Sequence, residues 1–217
     1  MYRSILIVGC LSTLIARPAL ADPAATADGA PPAKEIGQRE IESPKKVRQA
    51  TLEIEDLAGV RHRPLEVREN RASVVIFVLH DCPISNQYAP EIQRLADEFA
   101  AKRVPFYLVQ VDPQLSKADA TKHAKEYRYK LPVIVDRKHE LVKRLKATTA
   151  PEAFVIGAEG KVLYRGRIDD RYAAIGKPRS QVQRQDLRMA LSAVVAGKPV
   201  EVAETKAIGC YIPELDE

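Results

Sequence analysis

Apolar and polar positions along this chain follow two different periods, and the switches between them lay out an alternation of strands and helices. Residues 50–54 alternate with period two, Asp56 to Gly59 supply turn chemistry, and Arg61 to Val67 alternate again, which predicts a hairpin over 50–67. Ser73 to Leu79 is an unbroken apolar run rich in β-branched residues, the pattern of a strand buried on both faces. It ends at His80-Asp81-Cys82-Pro83. From Ser85, a candidate N-cap, the period becomes helical, with Tyr88, Ile92, Leu95, Ala96 and Phe99 on one face and Pro90 expected to introduce a kink. Val104 to Val111 predicts a second buried strand, Ser116 a cap for a helix running through Ala124 and Tyr127, Leu131 to Val135 a third strand, and Glu140 to Lys146 a short helix. Ala153–Ile156 and Val162–Arg165 flank Gly157 and Gly160 and predict a second hairpin. Gln183 to Val195 forms a last amphipathic helix, stopped by Gly197-Lys198-Pro199. This order predicts an α/β fold with a mixed central sheet flanked by helices, preceded by an N-terminal hairpin.

The ends of the chain read differently. Arg3, the apolar stretch Ile5 to Ile15 and Ala19-Leu20-Ala21 fit a signal peptide over residues 1–21, so that Asp22 begins the mature chain. Gly9-Cys10 resembles an acylation site, but too few apolar residues precede it for a lipoprotein anchor to be favoured. Residues 22–45, with Pro23, Pro31, Pro32 and Pro44, read as a flexible Ala/Pro-rich linker. A domain over 46–198 and a C-terminal tail over 199–217 complete the organisation. The expected location is periplasmic or otherwise extracytoplasmic, and no apolar run is long enough for a stable membrane span once the leader is removed.

Composition narrows the function classes. With 46% apolar and 29% charged residues the chain can build a core. Its formal charge of +5 falls to +3 once Arg3 and Arg17 leave with the signal peptide, and the remaining basic residues are interleaved with acids, which argues against a nucleic-acid partner. His62, His123 and His139 show no ligand spacing and read as surface residues, so neither a metal nor a cofactor is expected. Cleavage also removes Cys10 and leaves Cys82 and Cys210 as a possible pair.

Cys82 is the leading chemical candidate. A thiol where a strand meets a helix N-terminus faces the positive end of the helix dipole and unpaired backbone N–H groups, which favour thiolate over thiol. The plain alternative is a small buried apolar residue. His80, two residues earlier, stands close enough in sequence to add positive charge or relay a proton, or else is structural.

The buried strand leading into Cys82-Pro83, Thr149-Ala150-Pro151 just ahead of an edge hairpin, and the leading hairpin together resemble the thioredoxin fold, in its redoxin branch of AhpC/TSA and TlpA-like proteins. Within that branch the stretches Asp81 to Asn86, Gly166 to Arg171 and Gly209-Cys210 resemble exported redoxin-domain proteins. The resemblance covers roughly residues 47–196 and implies thiol–disulfide exchange with protein thiols or disulfides, in the service of cell redox homeostasis. It implies Cys82 as nucleophile, a cis Pro151 beside which a substrate strand docks, and Cys210 as a resolving thiol, with a free or intermolecular cysteine as the alternative. Arg167 and Arg171 then stabilise an anion near Cys82, or pair with Asp169 and Asp170 on a solvated loop. One departure matters: in Cys82-Pro83-Ile84-Ser85 a hydroxyl replaces the second sulfur of Cys-x-x-Cys, so a local dithiol cycle is impossible. Two other activities remain open. A thiol peroxidase with antioxidant activity would need a proline where Val75 stands and a hydroxyl where Leu79 stands, and a copper-binding protein resembling the SCO chaperones would need a second cysteine where Asn86 stands.

Overall fold

The apolar run at 73–79 becomes the centre of the molecule, because a strand that is apolar on both faces is stable only when both faces are covered. A computed structural model describes residues 52–215; the expected signal peptide, the expected linker and the first two residues of the expected hairpin lie outside them. The elements, in chain order, are β1 (Ile54–Glu55), β2 (Arg61–His62), β3 (Ser73–Val78), α1 (Pro83–Gln87), α2 (Ala89–Ala100), β4 (Phe106–Gln110), α3 (Lys117–Glu126), β5 (Val133–Val135), α4 (Glu140–Leu145), β6 (Thr149–Ala150), β7 (Glu152–Ile156), a 3-10 turn at Ala158–Gly160, β8 (Val162–Gly166), β9 (Tyr172–Ala174), β10 (Lys177–Pro178), α5 (Asp186–Val195) and β11 (Cys210–Tyr211).

Five strands form the central sheet in the order β5-β4-β3-β7-β8, with β3, β4 and β5 parallel and β7 and β8 antiparallel to their neighbours. This is the mixed sheet of a thioredoxin-like fold. Every residue of β3 is buried, and Phe77 meets Phe154 of β7 edge-on with ring centroids 5.5 Å apart. Ile92, Leu95 and Phe99 of α2, and Leu187 and Leu191 of α5, complete the same core. The leading hairpin shrinks to two residues per strand, Ile54 opposite His62 and Glu55 opposite Arg61.

Two features differ from the sequence reading. The helix after β3 starts at Pro83, with Cys82 as its N-cap, rather than at Ser85. Proline supplies the fixed φ of a first helical residue and lacks the N–H that would be unpaired there, whereas Ser85 lies inside the helix, buried, its Oγ accepting from the Leu79 amide at 3.4 Å. The kink expected from Pro90 becomes a break at Tyr88, which caps α1 at one end and begins α2 at the other.

The tail, which carries no periodic pattern in the sequence, is ordered against the sheet. Arg165 donates its backbone N–H to Ala203 at 2.9 Å, and Thr205 donates its own back to Arg165 at 3.0 Å. The Thr205 hydroxyl meets Tyr164 Oη at 2.7 Å and accepts from the Arg167 amide at 3.1 Å. Gly166 makes this seat possible: its φ is +136°, and a Cβ there would run into the backbone of Thr205. Five residues later the chain pairs again, as β11, with β6.

Candidate functional site

The site assembles where three segments meet: the end of β3, the Thr149-Ala150-Pro151 segment, and the tail. Cys82 is fixed at the mouth of α1 by its own amide, which donates to Leu79 at 3.2 Å, and by its carbonyl, which accepts from Asn86 at 3.0 Å. Because Pro83 has no N–H, the amides of Ile84 and Ser85 are the first of the turn, and neither has an acceptor inside the helix. The Ala150-Pro151 peptide is cis. The Ala150 carbonyl oxygen lies 3.5 Å from Cys82 Sγ.

The tail closes the site. Cys210 lies directly opposite Ala150 in an antiparallel pair, Tyr211 lies opposite Thr149, and the Ile212 amide donates to Thr148 at 3.1 Å. In that register Cys82 and Cys210 form a disulfide with their Cα atoms 6.2 Å apart, inside the span such a bond requires. Cys82 is 1% exposed, Cys210 is partly exposed, and Tyr211 stands 82% exposed beside them. Of the residues singled out from sequence, Cys82, Cys210 and Pro151 therefore come together.

The supporting residues are placed otherwise. His80 turns its Nδ1 toward Asp112 Oδ2 at 3.4 Å, with its ring 6.4 Å from that of His123. Ser85 is taken up by the Leu79 amide. Arg167 pairs with Asp186 of α5 at 2.7 Å. Arg171 lies 4.8 Å over the Tyr88 ring, donates to the Gln87 carbonyl at 3.2 Å and faces Asp169 at 3.6 Å. Asp169 and Asp170 are buried rather than solvated. Asp169 accepts from Tyr88 Oη at 2.6 Å, and Asp170 from the amides of Gln183 and Arg184 at 2.8 and 3.0 Å. The Gly166 to Arg171 stretch thus ties the helix pair α1–α2 to the segment that leads into α5.

Sequence reasoning missed one group entirely. His123, taken for a surface residue, is buried on α3, and His139 is buried with its Nε2 2.7 Å from the Val111 carbonyl. His62 is half-buried, its Nε2 2.8 Å from Asp56 Oδ2. His123 Nε2 meets Asn86 Oδ1 at 2.9 Å, its Nδ1 meets Gln110 Nε2 at 3.0 Å, and Tyr127 and Tyr129 cover the ring at 4.6 and 6.1 Å. Asn86 donates through Nδ2 to the His80 carbonyl, which leaves its Oδ1 as acceptor and puts the proton of a neutral His123 on Nε2. His123 thus braces Asn86, and through it the turn that carries Cys82. The available signal was its position on α3: four residues before Tyr127, it falls on the same face as that ring.

Burial holds the His123 imidazole below its usual titration range, and the neighbouring His80 pushes in the same direction. With the folded value depressed, the unfolded chain binds the proton first as pH falls. The neutral His123 contributes its full stability above about pH 6.5, the ordinary imidazole value, and that contribution is lost progressively below it. His123→Gln is therefore expected to flatten the decline in unfolding free energy between pH 7.5 and 5, measured by urea titration. An unchanged slope would place the pH dependence on other groups.

Residues 45–165 match the model of the AhpC/TSA family. The comparison with curated proteins yields no match. Among solved structures, an uncharacterized conserved protein from Geobacillus kaustophilus is 26% identical, with a TM-score of 0.68 over 76% of this chain and 89% of that one. A hypothetical protein from Sinorhizobium meliloti 1021 is 23% identical, with a TM-score of 0.67 over 76% of this chain and 92% of that one. The MTB dsbF protein, solved in mixed oxidized and reduced forms, is 16% identical, with a TM-score of 0.50 over 66% of this chain and 95% of that one, a likeness of fold.

Proposed function

The chain belongs to the AhpC/TSA family, and from that membership we propose that it is an exported thiol–disulfide exchange protein in which Cys82 is the attacking sulfur and Cys210 the resolving one. One observation carries the reading: the sulfur at the mouth of α1 is bonded to a cysteine on a strand laid along β6, at a sequence separation of 128 residues. In the reduced chain the Cys82 thiolate attacks a partner disulfide, forming a Cys82–partner bond while the partner's second sulfur leaves as thiolate. Cys210 then attacks Cys82 Sγ, releasing the partner thiol and closing the Cys82–Cys210 bond. The partner gains two electrons and the chain loses two. The reverse sequence carries electrons the other way.

Thiols or disulfides of exported proteins are the partners this chemistry takes, and residues 1–21 would carry the chain to them. Exchange is favoured over a peroxidase because Leu79, buried in the core three residues before Cys82, leaves no hydroxyl there to position a peroxide. Among the described residues no group of three or more His, Cys, Asp or Glu side chains converges as a metal site, and no helix is long and apolar enough to cross a membrane.

The test is equilibration of the mature chain in glutathione buffers of graded potential, with rapid thiol trapping and mass spectrometry of Cys82 and Cys210. The expected result is a single two-electron transition in which both thiols appear and disappear together. Two thiols that never couple in the most oxidising buffer would remove the resolving role of Cys210.

A further inference from the structure

The tail lies along β6 as an extended segment bearing a cysteine, the geometry that a partner segment needs to present its sulfur to Cys82. Its residues therefore report what that edge accepts. With Cys210 opposite Ala150, strand alternation puts Ile208, Cys210 and Ile212 on one side. All three are partly buried and pack against the core, whereas Tyr211 projects outward at 82% exposure. The residue before the cysteine is the constrained one. A Cβ on Gly209 would come within 2.6 Å of the Ala150 carbonyl carbon and 2.9 Å of Pro151 N, and nearer still to the Ala150 oxygen. These are backbone atoms, so no side chain can swing aside to make room. The same Ala150 oxygen lies against Cys82 Sγ, so a partner that moved outward to avoid it would also carry its own sulfur away from the attacking one.

We infer that the β6 edge selects protein partners whose exchanging cysteine directly follows a glycine in an extended segment, with apolar residues two positions to either side, and that the tail is the intramolecular competitor for that edge. This rests on the exchange reading above. The residue after the cysteine is left free, since Tyr211 faces solvent. The Thr205 anchor on Arg165, Tyr164 and Arg167 involves neither sulfur, so reduction frees only the stretch beyond it. That stretch leaves the edge when a partner arrives and returns to resolve the mixed disulfide.

Two peptides test the selectivity, Ile-Gly-Cys-Tyr-Ile and Ile-Ala-Cys-Tyr-Ile, each supplied as its mixed disulfide with 2-nitro-5-thiobenzoate to the reduced Cys210→Ser chain beginning at Asp22, whose one thiol is Cys82. Cys82 thiolate attacks the peptide sulfur, the Cys82–peptide bond forms as the peptide–thiobenzoate bond breaks, and the coloured thiolate leaves with the electron pair; the Cys82 proton goes to buffer. The tail competes equally with both peptides, so the ratio of rates is unaffected. The glycine peptide is expected to react at least about tenfold faster, the consequence of forcing a methyl group into fixed backbone. In parallel, Gly209→Ala with both cysteines retained is expected to form its internal disulfide at least about tenfold more slowly than the natural sequence. Equal rates for the two peptides overturn the glycine requirement and leave exchange at Cys82 standing. Release from neither peptide overturns both.

Discussion

Reduction of the Cys82–Cys210 disulfide is expected to lower the free energy of unfolding by about 5 kcal/mol at 25 °C, the loop-closure value for a bridge across 128 residues. For a chain of 217 residues this corresponds to a fall in Tm of roughly 10–20 °C. The loop is long because the bridge joins the end of β3 to a tail that lies beyond α5, so it closes over most of the fold. Urea unfolding with and without reductant measures the difference, and Cys210→Ser without reductant should match the reduced natural chain. The loss should be in global stability, while early amide exchange is confined to β11 and its neighbours, because Thr205 keeps its own hydrogen bonds to β8 and the segment after it. Equal stability of oxidised and reduced chains would mean that the two cysteines are not joined in solution.

The contrast between the two ends of that bridge explains what the sequence made legible. β3 and β4 were readable because each carries a run of apolar residues that announces a buried strand, and β7 and β8 because glycines separate them as a hairpin; the observed ends lie within two residues of the expected ones. Cys82 was readable because a strand that stops at a Cys-Pro puts a sulfur at a helix mouth. The tail was not readable, since residues 200–212 have no sustained period: its order comes from Thr205 bonding to β8, Cys210 and Tyr211 pairing with β6, and Ile208 and Ile212 packing against the core. His123 was misread for a related reason. A histidine on a polar helix carries little sequence mark of burial beyond Tyr127 one turn later, and the approach of Asn86, Gln110 and Tyr129 from outside the helix makes it a core group. Ser85 shows the reverse error: a good capping residue lost the cap to Cys82, because Pro83, with its fixed φ and missing N–H, suits the first helical position.

Cys82→Ser is expected to reduce thiol–disulfide exchange by more than about 10³-fold, the scale on which removal of an attacking group acts in enzymes that use one. The two cysteines are not equivalent, and the asymmetry gives the test its power. In the reduced chain a Cys82 thiolate stands at the N-cap of α1, whose first amides have no acceptor inside the helix, a position that favours thiolate and that a hydroxyl cannot convert into nucleophilic attack. Cys210 lies on a two-residue strand and has neither support. A chain lacking Cys82 should therefore capture no partner, whereas Cys210→Ser should still attack and then stall, accumulating a Cys82–partner mixed disulfide that cannot resolve. Non-reducing electrophoresis after acid quenching distinguishes the two: a band shift with Cys210→Ser and none with Cys82→Ser. The opposite pattern, partners held on Cys210 in the absence of Cys82, would exchange the two roles, and the glycine before Cys210 would then serve only to seat the tail.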